Sequence, residues 1–208
     1  LIDQIYNEFK GEHNELIKST LDTIRRRPLS MKIATNSDDK KKLAFEAAKQ
    51  LKDQSGPRVA VFDLDGFDTH TAQGGVDGAH ADELEEVNKI VTILYENLGQ
   101  AFDNTLILTL TEFGRTIKQN GGYGTEHGYG SAILMAGGLL KKSQVYTDWP
   151  GLKKKELFEG RDLNSTIDSR AVYNSAMSVC FNQDPEFLRK EVFWGDALPD
   201  LSQELFKI

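Results

Sequence analysis

Apolar residues recur every three to four positions over 1–27, where Leu1, Ile2, Ile5, Phe9, Leu16, Ile17, Leu21 and Ile24 mark one face until Pro28 ends the pattern. That spacing predicts an amphipathic helix. A second helix is predicted over 39–53, closing before Gly56-Pro57. The period then changes. Residues 58–64 (RVAVFDL) form a short apolar run between Gly-Pro and Asp-Gly, the signature of a strand buried on both faces. A glycine-bearing loop over 66–79 leads to the strongest helical stripe, 80–102, marked by Leu84, Val87, Val91, Leu94, Leu98 and Phe102. Two further buried strands are predicted at 104–111 and 131–136, on either side of a glycine-rich loop over 119–130. Val145-Tyr146 reads as a short fourth strand, 169–181 as a helix, and the remainder as a polar tail.

Strand, long helix, strand is the grammar of an α/β sheet. The expected organisation is one α/β domain over 1–208, with 1–55 as a helical lead-in. In such sheets ligands gather outside the carboxyl ends of strands. That rule selects Asp63, Asp65, Asp68 and His70 after the first strand, and Glu112 and Arg115 after the second.

Composition narrows the function classes. With 208 residues, 39% apolar and 27% charged, the chain has the make-up of a globular protein. Its 25 basic and 32 acidic side chains give a net charge of −7, which argues against a nucleic-acid partner. The basic runs Arg25-Arg26-Arg27 and Lys40-Lys41-Lys42 read as solvated faces. No apolar stretch approaches the ~20 residues a membrane span needs. A single cysteine, Cys180, excludes an internal disulfide, and its helical spacing from Val172, Tyr173, Ala176 and Met177 predicts a small buried thiol.

Two groups of residues carry chemistry. VFDLDG at 61–66 resembles the first motif of the haloacid-dehalogenase phosphatases, with Asp63 as nucleophile, Asp65 as acid/base, and Asp196 and Asp200 of GDALPD as the late acidic motif. Phe67 stands where that motif has Thr, and no matching lysine motif lies between, so this is the minor alternative. The second group is GFDTH at 66–70, TEFGRT at 111–116 and GGYGTEHG at 121–128. Asp68 and His70 stand two residues apart, so in extended backbone they face the same way and can share a divalent metal. Such a metal polarises a phosphoryl or sulfuryl oxygen, and Arg115 is suited to pair with an anionic ester.

GFDTH, TEFGRT, GGYGTEHGYG, VYTDWPGL at 145–152, GRDL at 160–163 and STIDSRAVY at 165–173, in that order, resemble the bacterial family known as domain of unknown function 1501. The family is placed in the alkaline-phosphatase and sulfatase superfamily. The resemblance implies a three-layer α/β/α sandwich, alkaline-phosphatase-like, and a metal-dependent hydrolase of phosphate or sulfate esters acting on a small anionic substrate. It implies Asp68, His70, Glu112 and His127 as ligands of a divalent metal (Zn, Mn, Ca or Mg), present as a single ion or absent. Arg115 and Glu126 are the candidate catalytic side chains. Phe113 occupies the place of an expected His, and His80 falls where the family tends to carry one. Family members are longer, with an export signal and the nucleophile expected upstream, so the implied location is periplasmic or exported. Within this sequence Thr69, Thr111, Thr125 and Ser131 are the candidate hydroxyl nucleophiles. The competing expectation is an exported binding or assembly protein that keeps the fold without catalysis.

Overall fold

The computed structural model describes residues 37–208, which belong to a compact unit running from Asn36 to Ile208. The helix expected over 1–27 lies outside the described residues. Helix α1 is Ser37–Lys52 and α2 is Ala79–Leu98, the latter continuing as a 3-10 turn over Gly99–Asn104. They pack through Ala44 and Ala48 of α1 and Ile90, Leu94 and Leu98 of α2, all buried. Two alanines on one side let the helix axes approach, and the larger side chains of α2 fill the seam. The buried face of α2 is narrower than the apolar stripe suggests, because Leu84 at the helix start is exposed.

The expected strand over 58–64 makes no ladder among the described residues. Alternate residues differ in burial. Phe62 and Leu64 pack against the α1/α2 cluster, whereas Val59 and Val61 are 59% and 82% exposed. One face is covered, and no described strand pairs along its edge.

The ladders that form are short. Ile107–Leu108 (β1) pairs antiparallel with Met135–Ala136, and Gly114–Arg115 (β2) pairs antiparallel with His127–Gly128 (β3), so Met135–Ala136 is β4. A parallel arrangement needs a long crossover, usually helical, and the chain between β1 and β4 contains no helix. Val145 and Tyr146 are exposed and form no strand.

Helix α3, Ser169–Phe181, matches the expected 169–181. Asp168 starts it by accepting a hydrogen bond from the Arg170 backbone N–H at 2.9 Å. Two further helices lie in the region expected to be a polar tail: α4, Pro185–Val192, capped by Asp184 with Pro185 in its first turn, and α5, Ser202–Leu205. Ala171, Val172 and Ala176 of α3 form a second core with Leu201, Leu205 and Phe206. Cys180 is exposed, a correction to the buried thiol. The buried residues of α3 lie in its first half, from Ala171 to Ala176, so its last turn projects past the core.

Strand β1 lies between the two cores. Ile107 packs against the α1/α2 cluster, and Leu106 and Leu108 pack against the α3 cluster. Two-residue alternation of side chains delivers this. No described helix is long and apolar enough to cross a membrane.

Candidate metal centre

Three segments meet at the β2/β3 hairpin. The first is the loop 67–73, tied to the 120–125 loop by backbone bonds from Ala72 N to Gly122 O and from Gln73 N to Tyr123 O, both 2.9 Å. Gly124 permits this approach, because a Cβ there would lie 2.2 Å from the carbonyl carbon of His70. Asn120 adds a side-chain bond to His70 O at 2.8 Å. The hairpin itself places Arg115 opposite His127.

The result gathers Asp68, His70 and His127, whose ligand atoms all lie within 4.8 Å of one another. Asp68 Oδ1 is 2.9 Å from His127 Nε2 and 3.0 Å from His70 Nε2. The two imidazole centroids are 5.0 Å apart. All three side chains are roughly half exposed, at 54% for Asp68, 41% for His70 and 50% for His127, so the group opens to solvent.

Around this trio the polar groups are well partnered. His70 Nδ1 lies 2.9 Å from Glu126 Oε2, and Glu126 Oε1 accepts from Asn120 Nδ2 at 2.5 Å. Hydrogen bonds from Asn120 and then His70 outweigh partial desolvation and hold the Glu126 carboxyl below its ordinary value. Partial desolvation pushes the Asp68 carboxyl up, but bonds from His127 and Arg115 outweigh it and lower it. Arg115, expected to pair with an anionic ester, is already engaged. Its Nη2 donates to Asp68 Oδ1 at 2.5 Å and to Phe67 O at 2.8 Å, and its Nη1 donates to Thr125 O at 2.8 Å.

Phe113 stacks on His127, with centroids 3.7 Å apart and planes 12° from parallel, and the Arg115 guanidinium lies 5.3 Å from the Phe113 centroid. Where a His was expected, this ring offers no ligand atom but fixes an imidazole that does. Glu112, the fourth expected ligand, is exposed and does not join the group. It lies in a bend before β2, outside the ladder.

The expected hydroxyls are engaged. Thr69 Oγ1 and Thr125 Oγ1 both donate to Gln73 Oε1, at 2.9 and 2.7 Å, and Thr111 and Ser131 bond each other at 2.7 Å. His80 stands edge-on to Phe67 at 5.9 Å, its Nδ1 buried without a partner. Of the acids of the haloacid-dehalogenase alternative, Asp63 is exposed and the other three serve as structural partners. Asp65 pairs with Lys40 at 2.6 Å, Asp196 pairs with Arg170, and Asp200 accepts from Ser202 Oγ at 2.5 Å. Asn120 and Gln73, which the sequence reading passed over, order the loops. Asn120 lies in an Asn-Gly-Gly turn, the one local signal that pointed to it.

The donor set fits a metal. Both ring nitrogens of His70 face carboxylates, Nδ1 toward Glu126 and Nε2 toward Asp68. A neutral imidazole has one N–H and satisfies only one of them. With the proton on Nδ1, the Nε2 lone pair, Asp68 Oδ1 and His127 Nε2 present three donors to one cation. Zinc–nitrogen bonds of about 2.0–2.1 Å put tetrahedral ligand atoms about 3.3 Å apart, close to the 2.9 and 3.0 Å that separate Asp68 Oδ1 from the two imidazoles.

Comparison with curated proteins and with solved structures finds no match. A family described as "Protein of unknown function (DUF1501)" matches residues 28–190, more than half of the chain and every residue of the group above. The chain therefore belongs to the DUF1501 family.

Proposed function

We propose that this chain is a metal-dependent hydrolase of phosphate or sulfate esters, of the alkaline phosphatase/sulfatase type, built on a single divalent ion held by Asp68, His70 and His127. The observation that carries the reading is His70 set between two carboxylates, an arrangement completed by a cation on its Nε2 side. Two imidazoles and one carboxylate with an open position form a zinc-type donor set, and calcium or magnesium would favour more oxygen ligands. When bound, such an ion supplies Lewis-acid polarisation of a phosphoryl or sulfuryl oxygen.

The chain's own groups do the rest. With a cation on Nε2, Glu126 accepts the Nδ1 proton of His70, the carboxylate–histidine support common around metal ligands. Phe113 holds the plane of the His127 ring. Arg115 ties Asp68 to the Phe67 and Thr125 backbones, so the ligand carboxylate is positioned before any ion arrives. One carboxylate among the three ligands leaves a divalent centre net positive, which favours a small anionic ester over a neutral one.

We extend the proposal to the fold. Ile107 packing on one helical cluster and Leu106 and Leu108 on another support a three-layer α/β/α sandwich, with β1 in the middle layer. Exported location is part of the same proposal and rests on the family resemblance.

One observation favours a second reading, a non-catalytic binding or assembly protein. Arg115 already supplies a positive partner to Asp68, so the cluster has a charge balance without an ion. Metal analysis of the purified chain after zinc dialysis tests both. Near-stoichiometric zinc lost in His70→Ala supports the metal centre, and metal-dependent cleavage of an aryl phosphate or sulfate by a longer natural chain carrying the upstream nucleophile supports the hydrolase. Metal-free protein without turnover supports the second reading.

A further inference from the structure

We infer that Asn120 is a positioning residue of the metal centre: its side-chain amide, aimed by two backbone N–H groups, holds His70 directly at its main chain and, through Glu126, at its ring. The inference rests on the metal-centre reading above.

The loop 120–124 is closed by the Asn120 backbone N–H, which donates to Gly124 O at 2.9 Å, and Tyr123 within it takes left-handed backbone with φ 60°. Backbone N–H groups in such a turn converge. Those of Gly122 and Gly124 both donate to Asn120 Oδ1, at 2.9 and 3.0 Å. An amide oxygen accepts from both, whereas an amide nitrogen accepts from neither, so the side chain has one orientation. Nδ2 then points away from the loop toward two acceptors, the His70 carbonyl at 2.8 Å and Glu126 Oε1 at 2.5 Å. Both lone pairs and both N–H groups of the amide are in use.

This fixed polarity passes on to the ligand. Because Nδ2 only donates, Glu126 must offer it an acceptor, and the carboxylate does so with Oε1 while Oε2 lies 2.9 Å from His70 Nδ1. With a cation on His70 Nε2, Oε2 accepts the Nδ1 proton, so both oxygens of Glu126 accept. Glu126→Gln breaks the pattern in a set direction: the new amide oxygen is drawn to Asn120 Nδ2, and its NH2 is left facing the Nδ1 proton. Asn120→Asp breaks it from the other end. The aspartate still accepts from Gly122 and Gly124, so the turn is kept, but it sets a second carboxylate against Glu126. The two changes made together restore the pattern, because the glutamine then donates its NH2 to the aspartate and turns its oxygen to His70 Nδ1. Only the bond to the His70 carbonyl is missing.

The test measures zinc affinity by competition with a chromophoric chelator at neutral pH, together with the melting of each apo chain, for the parent, Asn120→Asp, Glu126→Gln and the double variant. Each single change should weaken zinc binding about 10- to 100-fold, the range for partners that support a metal ligand. The double variant should bind zinc more tightly than either single variant and within about tenfold of the parent, since the two positions act as one unit. Rescue by a second substitution separates positioning from loss of loop stability, which a second change would deepen. Losses that add in the double variant, in affinity or in melting, overturn the positioning role and leave the metal centre standing, as does an Asn120→Asp chain that binds zinc like the parent. Failure of the parent chain to take up zinc overturns the metal centre and the role of Asn120 together.

Discussion

His70 Nδ1 and Glu126 Oε2 lie 2.9 Å apart, although 56 positions separate the two residues in sequence. With the proton on Nδ1, this contact leaves Nε2 free toward Asp68. Glu126→Gln keeps the size of the side chain but lets its amide flip and donate, and that support is lost. Zinc affinity should fall about 10- to 100-fold, the range for supporting partners of metal ligands, with the thermal midpoint of the apo chain little changed. Unchanged zinc affinity would remove Glu126 from the centre.

Arg115 joins Asp68, the Phe67 carbonyl and the Thr125 carbonyl from one guanidinium. Lysine carries the charge but not the planar fork. Arg115→Lys should destabilise the chain by about 1–3 kcal/mol in urea titration, the cost of leaving part of such a set unmade. A variant as stable as the parent would show that the three segments are held together by their backbone bonds alone.

These two predictions draw on residues of different legibility. Asp68 and His70 could be paired from sequence because their spacing fixes their common direction in extended chain. His127 stood out as the other histidine in a glycine-rich loop. Glu112 stays apart from the group because it lies in the bend before β2, which sequence proximity to Arg115 does not reveal. Asn120 and Gln73 were illegible because an amide in a glycine-rich loop looks like turn chemistry until its distant partner is known. The fold shows the same division. α1, α2 and α3 follow from local periodicity, whereas the run at 58–64 has every local mark of a strand and lacks a described neighbour to pair with. α4 was missed as polar sequence, although Asp184-Pro185 is a cap followed by a first-turn proline.

Asp168 caps α3 and also binds the Arg170 side chain. The Arg170 side-chain bond, outweighing partial desolvation, holds its carboxyl below the ordinary value. A lowered folded value means stability that is complete above the unfolded pKa, about 3.9, and lost as pH falls through the folded one. Asp168→Ala should cost about 0.5–2 kcal/mol at neutral pH, and Asp168→Asn less, since asparagine still caps. The gap between parent and Asp168→Asn in urea melts should shrink as the pH drops below about 4. A gap that is constant down to strong acid would show that charge plays no part at this cap.

Leu94 is 4% exposed in the seam between α1 and α2. Leu94→Ala should cost about 2–5 kcal/mol, the range for a buried leucine truncated in a core that cannot fully collapse. The same change at Leu84, 45% exposed near the start of the same helix, should cost far less. Equal losses at the two sites in calorimetric melts would contradict the observed orientation of α2.

Gly114 lies in the strand that carries Arg115. Its backbone passes so close to Gly130 that an added Cβ would sit 1.8 Å from the carbonyl oxygen, a contact between two main chains with no flexible side chain to yield. Gly114→Ala must therefore push the hairpin away from residue 130. The hairpin holds Arg115 opposite His127, so the displacement reaches both the tie to Asp68 and the ligand ring. The expected cost is about 2 kcal/mol or more, in the upper range for overpacking, together with weakened zinc uptake. Gly121, seven residues along in the adjoining loop, has nothing within 4 Å of the same added atom. Gly121→Ala should stay within about 0.5 kcal/mol of the parent and bind zinc normally. If both variants melt alike and bind alike, the closed side of the hairpin is not what presents these side chains to solvent.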